Sequence, residues 1–290
     1  MVIVGPTAVG KTAAAIRLAQ ALHTEIVSAD SRQIFRELTI GTAKPTAAEL
    51  AQVRHHFINT HSITADYDAA RYGDEALAVI HGLLEIHADV VLCGGSGLYV
   101  QAVCEGFDDI PEVPEEIRAG LMAGYASGGI GWLQAQMRAH DPDHLEAVDA
   151  QNPYRLIRAL EVKLGTGRSI ASFRKQARRE HPFAIVKIGL ELPREILYER
   201  IDARMDAMIA AGLFEEAETL YPHRHRQALQ TVGYREIFDY MDGMYDREEA
   251  IRLLKRNSRR YAKRQLTWFK RDESVKWVSS WEEVAAYVGL

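Results

Sequence analysis

Residues 5–12 read Gly-Pro-Thr-Ala-Val-Gly-Lys-Thr, the G-x-x-x-x-G-K-[ST] spacing of a phosphate-binding loop. The chemistry on offer is anion binding. Glycine at both ends lets the backbone turn where a Cβ would resist, so successive N–H groups can point at phosphate oxygens. Lys11 adds a mobile positive charge, and Thr12 a hydroxyl suited to Mg²⁺. The whole run, Gly5, Pro6, Thr7, Ala8, Val9, Gly10, Lys11 and Thr12, is the candidate cradle for a di- or triphosphate, with Thr12 the candidate metal ligand.

Such a loop needs a strand before it and a helix after it. The apolar run Met1 to Val4 supplies the first, and a stretch from Lys11 to about Leu22 the second. That helix turns its N-terminus, with its unpaired amides and positive dipole end, toward the same anion. Strand and helix then alternate. The pattern predicts strands at 25–27 and 89–93, a long helix from about Asp68 to His87 and another from about Gly97. This is the signature of an α/β fold, a P-loop NTPase-like parallel sheet flanked by helices. Residues 34–66 form a longer connection, with Gly41-Thr-Ala-Lys-Pro45 and a short helix from Ala47 to His55, of a kind that often carries function.

A nucleotide-hydrolysing relative would carry an Asp at the end of a second strand to hold Mg²⁺. Asp89-Val-Val-Leu-Cys93 instead runs into Gly94-Gly-Ser-Gly97. The acid follows the earlier strand, in Ser28-Ala-Asp30-Ser31, at a carboxyl edge near the phosphates. Asp30 is either a metal helper or a base, although an Asp between serines also caps turns.

At Asp109-Ile-Pro-Glu-Val-Pro114 the texture changes, and the chain reads as helical to about His181. We expect a P-loop core of residues 1–111 and 183–290 with basic C-terminal helices, and an inserted all-helical domain of residues 112–182. The stretch 183–192 reads as a strand rejoining the sheet. The insertion's tail, 172–179, is basic.

The 290 residues carry a formal charge of -5, so no global positive field points to nucleic acid. The field is local. Between Ile251 and Arg271 lie nine Lys or Arg and no acid, interleaved with Tyr261, Trp268 and Phe269, a pattern suited to phosphate backbones. Basic runs on helices are also often plain solvated faces. The two cysteines, Cys93 and Cys104, fit no metal spacing, and His55-His56 and His223-x-His225 lack partners at ligand spacing. Adjacent histidines are expected at a helix end. Without a leader or an apolar span, the expectation is a reduced, cytoplasmic monomer with no membrane association and no obligate protein partner.

Several stretches together resemble the tRNA dimethylallyltransferases. They are the loop at 5–12, Ser28-Ala-Asp-Ser-Arg-Gln33, Gly41 to Pro45, Gly94-Gly-Ser-Gly-Leu-Tyr99, Asn152-Pro-Tyr-Arg-Leu-Ile-Arg-Ala-Leu-Glu161, Arg200 with Arg204, Val232-Gly-Tyr234, and Lys263-Arg-Gln-Leu-Thr-Trp268. They span nearly the whole chain in the family's order. The resemblance implies transfer of a dimethylallyl group from dimethylallyl diphosphate to N6 of adenine 37, beside the anticodon of tRNA, with release of pyrophosphate. It gives the absent strand-end Asp a reason, since the loop would hold the prenyl diphosphate instead of hydrolysing a nucleotide.

By the same resemblance Arg200 and Arg204 join Lys11, the loop and Mg²⁺ on the diphosphate, and Asp30 is the base, with Thr7 and Ser96 beside the substrates. Contacts to the tRNA anticodon stem-loop are implied for Asp30, Ser31, Arg32, Gln33, Ser96 and Arg118. They are implied as well for Tyr154, Arg155, Leu156, Ile157, Arg158, Thr231, Val232, Gly233, Tyr234, Arg235 and Glu236. The helical insertion and the basic C-terminal helix are expected to hold the stem through its phosphates. The chain departs from the family pattern at Phe35, where Tyr is usual, at Ser96, where Thr is common, and at Tyr154, where Gln is usual. No cysteine follows Cys104, which suits a bacterial-type enzyme without a zinc finger. The competing readings are an adenylate isopentenyltransferase, a small-molecule P-loop kinase and a non-catalytic, nucleotide-regulated RNA-binding protein.

Overall fold

A computed structural model describes residues 1–108, 110–173 and 179–290. It divides the chain into two compact units, one formed by Met1–Gly106 with Glu180–Leu290 and the other by Phe107–Arg179.

The larger unit is built on six short parallel strands, β1 (Val2–Val4), β2 (Ile26–Ser28), β3 (His55–His56), β4 (Val91–Cys93), β5 (Lys187–Leu190) and β6 (Val275–Val278). Their order across the sheet is β3-β2-β4-β1-β5-β6. Apolar runs such as Val-Ile-Val at 2–4 show no alternation because both faces are covered. On one side α1 (Lys11–Ala21), α8 (Arg194–Ala210) and α12 (Trp281–Val288) pack Leu18, Ile201 and Val284 with Ile3 and Ile188. On the other, α3 (Ala69–Leu84), α4 (Gly97–Cys104), α9 (Leu213–Leu220) and α10 (Arg235–Met241) pack Tyr72, Val100, Leu213 and Phe238 with Val27 and Leu92. The long α11 (Arg247–Phe269) gives Leu254 to one core and Ala262 to the other.

β1 lies between β4 and β5, with Ile3 opposite Cys93 and Ile188. The chain goes to one side of β1 for β2, β3 and β4 and to the other for β5 and β6, so the crevice past its carboxyl end is the switch point where α/β sheets bind ligands.

Two strands escape the sequence reading. β6 follows α11 directly and pairs with β5 over Lys187–Leu190. The histidine pair, expected at a helix end, forms β3 instead. The helix predicted to reach His55 stops after one turn, at α2 (Ala47–Leu50), although Thr46 and Glu49 build a full capping box at its start. Ladder bonds to β2 then set the two rings on opposite faces. His56 Nε2 bonds Glu25 at 2.6 Å, and His55 Nδ1 bonds the Val53 carbonyl at 2.8 Å.

The smaller unit is helical. It contains α5 (Glu115–His140), broken at Gly129, then α6 (Pro142–Ala147) and α7 (Pro153–Thr166), around a core of Leu133, Met137, Leu156 and Leu160. Of the basic tail at 172–179, residues 174–178 lie outside the described part. Among the described residues no helix is long and apolar enough to cross a membrane.

Candidate active site

The phosphate loop leaves β1 at Gly5, whose φ of 144° suits only glycine and whose missing Cβ would stand 2.6 Å from the Leu190 carbonyl oxygen. Gly10, at φ 107°, caps α1. Lys11 folds back so that Nζ donates to the Pro6 carbonyl at 2.8 Å. Desolvation lowers its pKa to about 8, and Asp30 and Cys93 oppose the shift while Arg204 adds to it. An anion bound beside it would favour the protonated form.

Opposite the loop, Asp30 Oδ1 accepts the amides of Arg32 at 2.8 Å and Gln33 at 3.2 Å. Oδ1 thus caps the turn, and Oδ2 makes no hydrogen bond among the described residues. Ser96 Oγ accepts the Ser31 amide at 2.9 Å, and its hydroxyl reaches Ser31 Oγ at 3.1 Å. This ties the end of β4 to the end of β2. The two ends approach so closely that a Cβ on Gly94 would lie 2.1 Å from the Ala29 carbonyl oxygen.

These elements enclose a cavity of about 760 Å³. Of the residues expected at the site, Thr7, Ala8, Gly10, Lys11, Thr12, Asp30, Arg32, Gln33, Arg204, Thr231, Val232 and Gly233 line it. Arg204 has no ion pair within 4 Å among the described residues, and partial desolvation pulls its pKa down, opposed by Glu49. Among the described residues no group of three or more His, Cys, Asp or Glu could hold a metal ion; the Thr12 hydroxyl and the carboxylates of Asp30 and Glu49 are among the oxygens that line the cavity.

Other expected residues are placed elsewhere, for physical reasons. Arg200 is exposed one helical turn before Arg204 and is not part of the lining. Tyr234, wholly buried, donates its hydroxyl to Glu216, and Glu236, 5% exposed, accepts from the Gly233 amide and Asn257. Both are structural, and in 231–236 only Arg235 is exposed. Gln33 Nε2 donates to the carbonyls of Thr42 and Ala43, each at 3.1 Å, which spends its amide on the loop. In the helical unit Leu156 and Ile157 are core residues, whereas Tyr154 is 67% exposed. Arg118 and Arg158 share Glu161, at 3.1 Å and 3.4 Å. On α11, Arg259 is bound by Asp202 at 2.6 Å and Lys255 by Asp206, so part of the basic run pairs with α8.

The structure adds wall residues that the sequence reading left out. His55, Lys44, Tyr261 and Gln265 line the cavity. Lys44 Nζ is held by the Phe35 carbonyl and Asn59, and desolvation lowers its pKa to about 8. Burial raises the Tyr261 phenol to about 12, with Asp30 contributing. Gln265 lay within a recognised motif, but only the packing of α11 shows which side it faces.

The family model of the IPP transferases matches residues 33–272. A tRNA dimethylallyltransferase of Cytophaga hutchinsonii is 49% identical over 277 residues, covering 96% of this chain and 91% of its own. The tRNA dimethylallyltransferase 2 of Porphyromonas gingivalis is 50% identical over 276 residues, with 95% and 92% covered. The crystal structure of the full-length tRNA isopentenylpyrophosphate transferase from Bacillus halodurans matches at a TM-score of 0.72 and 40% identity, covering 99% of this chain and 94% of that one. By these matches the chain belongs to the IPP transferase family of prenyltransferases, on a P-loop NTPase-like fold.

Proposed function

We propose that this chain transfers the dimethylallyl group of dimethylallyl diphosphate to N6 of adenine 37 in tRNA. The observation that carries the reading is that Lys11, Thr12 and Arg204 line the same cavity as Asp30. Cations and the Asp30 carboxylate share one cavity, as a reaction needs when it expels a diphosphate and removes one proton.

N6 attacks the allylic C1, the C1–O bond breaks, and pyrophosphate leaves with the bonding electrons. Lys11, the loop amides and Arg204 stabilise the charge that grows on the leaving group. Asp30 Oδ2 accepts the N6 proton as attack makes the nitrogen cationic, and an ordinary carboxylate suffices for that. Thr7 and Ser96 offer hydroxyls to the substrates. The hard oxygen of the Thr12 hydroxyl fits Mg²⁺, which when bound would neutralise part of the diphosphate charge.

The target adenine must leave its stack to react. The surfaces we assign to tRNA are Arg32 at the cavity, Ser31 against Ser96, Arg235, the exposed basic side chains of α11, and Arg118, Tyr154, Arg155 and Arg158 of the helical unit. A cytoplasmic location follows from this substrate.

The test is incubation with Mg²⁺, labelled dimethylallyl diphosphate and either unmodified tRNA or AMP. Label in tRNA is the expected result. Label in AMP alone would make the chain a nucleotide prenyltransferase, and ATP turnover without prenyl transfer would make it a kinase.

A further inference from the structure

Three residues of α11 one turn apart, Tyr261, Gln265 and Trp268, face the loops of the cavity. Tyr261 lines the cavity near Ser96. The Trp268 indole lies where a Cβ on Gly97 would stand 2.3 Å from Nε1. Between them, Gln265 is 6% exposed and uses both ends of its amide. Oε1 accepts the Thr7 amide at 2.8 Å, and Nε2 donates to the Gly95 carbonyl at 2.9 Å.

A buried amide is costly unless both ends are paired, and a Leu or Met of similar volume would fill this position without that demand. The two partners are main-chain atoms of loops 88 positions apart in sequence. One planar group therefore fixes the distance between the phosphate loop and the Gly95–Ser96 turn. Thr7 and Ser96, the two hydroxyls assigned to the substrates, lie at the pinned ends.

We propose that Gln265 is a positioning residue for prenyl transfer, setting the separation of the Thr7 and Ser96 hydroxyls across the reacting atoms. The inference rests on the function proposed above. It also gives α11 a second role, because the helix that carries exposed Arg260, Lys263 and Arg264 forms the back wall of the site.

The experiment compares Gln265→Met and Gln265→Glu with the wild type, using dimethylallyl diphosphate and an anticodon stem-loop RNA, with kcat and both KM values measured per folded enzyme. Gln265→Met loses both bonds and should lower kcat roughly ten- to a hundredfold, the scale of a small misplacement, while both KM values stay within a few-fold. Gln265→Glu can still accept from Thr7 but donates to Gly95 only when protonated. Its kcat relative to wild type should therefore recover as pH falls. Lys11, Asp30, Lys44, Glu49, His55, Cys93, Arg204 and Tyr261 line the same cavity, so the Gln265→Glu ratio is read against that of Gln265→Met, which has no titratable group at this position. Wild-type kcat in Gln265→Met, or a loss seen only in melting temperature, overturns the proposal. So does a flat Gln265→Glu ratio, which also decides the matter should Gln265→Met fail to fold. A wild type that transfers no label to RNA overturns the parent reading instead.

Discussion

The Tyr234 hydroxyl donates to the Glu216 carboxylate at 2.6 Å, and the same carboxylate accepts the amides of Thr39, Ile40 and Gly41. One side chain of α9 thus holds the turn that forms part of the cavity wall. The Tyr234 ring lies so close under Gly41 that a Cβ there would meet Cζ at 2.6 Å, which accounts for a glycine at that position. Glu216→Ala would strand three amides and a buried phenol. We expect a loss of about 2–4 kcal/mol, read by chemical denaturation, and about 1 kcal/mol for Tyr234→Phe, which removes one bond only. Equal losses in the two variants would mean that the amides do not depend on Glu216.

Much of this site was legible because the loop's chemistry is local. The segment 5–12 carries its own turn, amides and cation, and Asp30 follows its strand closely enough to be placed by topology. What was not legible depended on packing from elsewhere. Tyr234 and Glu236 sit in a recognisable motif, yet their burial is set by Glu216 and Asn257, and no spacing reveals it. Likewise Arg259 reads as part of a basic run until Asp202 of α8 is seen against it. β3 was missed because two histidines give no strand periodicity, and β6 because Val275–Val278 is too short to stand out after a long helix.

With Lys11 in the proposed diphosphate site, binding of dimethylallyl diphosphate is expected to depend on pH. The folded pKa of Lys11, about 8, lies below the ordinary lysine value because burial disfavours the charge. The unfolded chain therefore binds more protons between these two values, and the contribution of Lys11 to stability rises with pH across that window. Diphosphate has the opposite linkage, since it favours the protonated form. Affinity should be greatest below pH 8 and fall above it, with proton uptake on binding detectable by calorimetry in buffers of different ionisation enthalpy. Lys11→Met should bind more weakly, with the dependence near pH 8 gone. An unchanged profile would assign it to another group.

Asp30→Asn separates charge from geometry. The amide oxygen can still accept from Arg32 and Gln33, so the turn is kept and melting should change little. What is lost is the carboxylate proposed to accept the N6 proton. Turnover should fall by about 10²-fold or more while RNA affinity stays within a few-fold. Single-turnover kinetics at saturating diphosphate is the measurement, and a near-normal rate would remove Asp30 as the base.

The basic side chains of α11 divide into two groups that one experiment can separate. Arg259 is engaged with Asp202 and approaches the Tyr198 ring, so its replacement by Ala should cost stability and leave the salt dependence of RNA binding largely intact. Arg260, Lys263 and Arg264 are exposed, with no ion pair within 4 Å among the described residues. Their joint neutralisation should weaken RNA binding and reduce the slope of log K against log salt by roughly one unit for each phosphate that the helix no longer neutralises. Titration of labelled tRNA at several salt concentrations gives both slopes. Equal slopes for the triple variant and the wild type would make this face of α11 an ordinary solvated surface, and RNA binding would then have to rest on other residues.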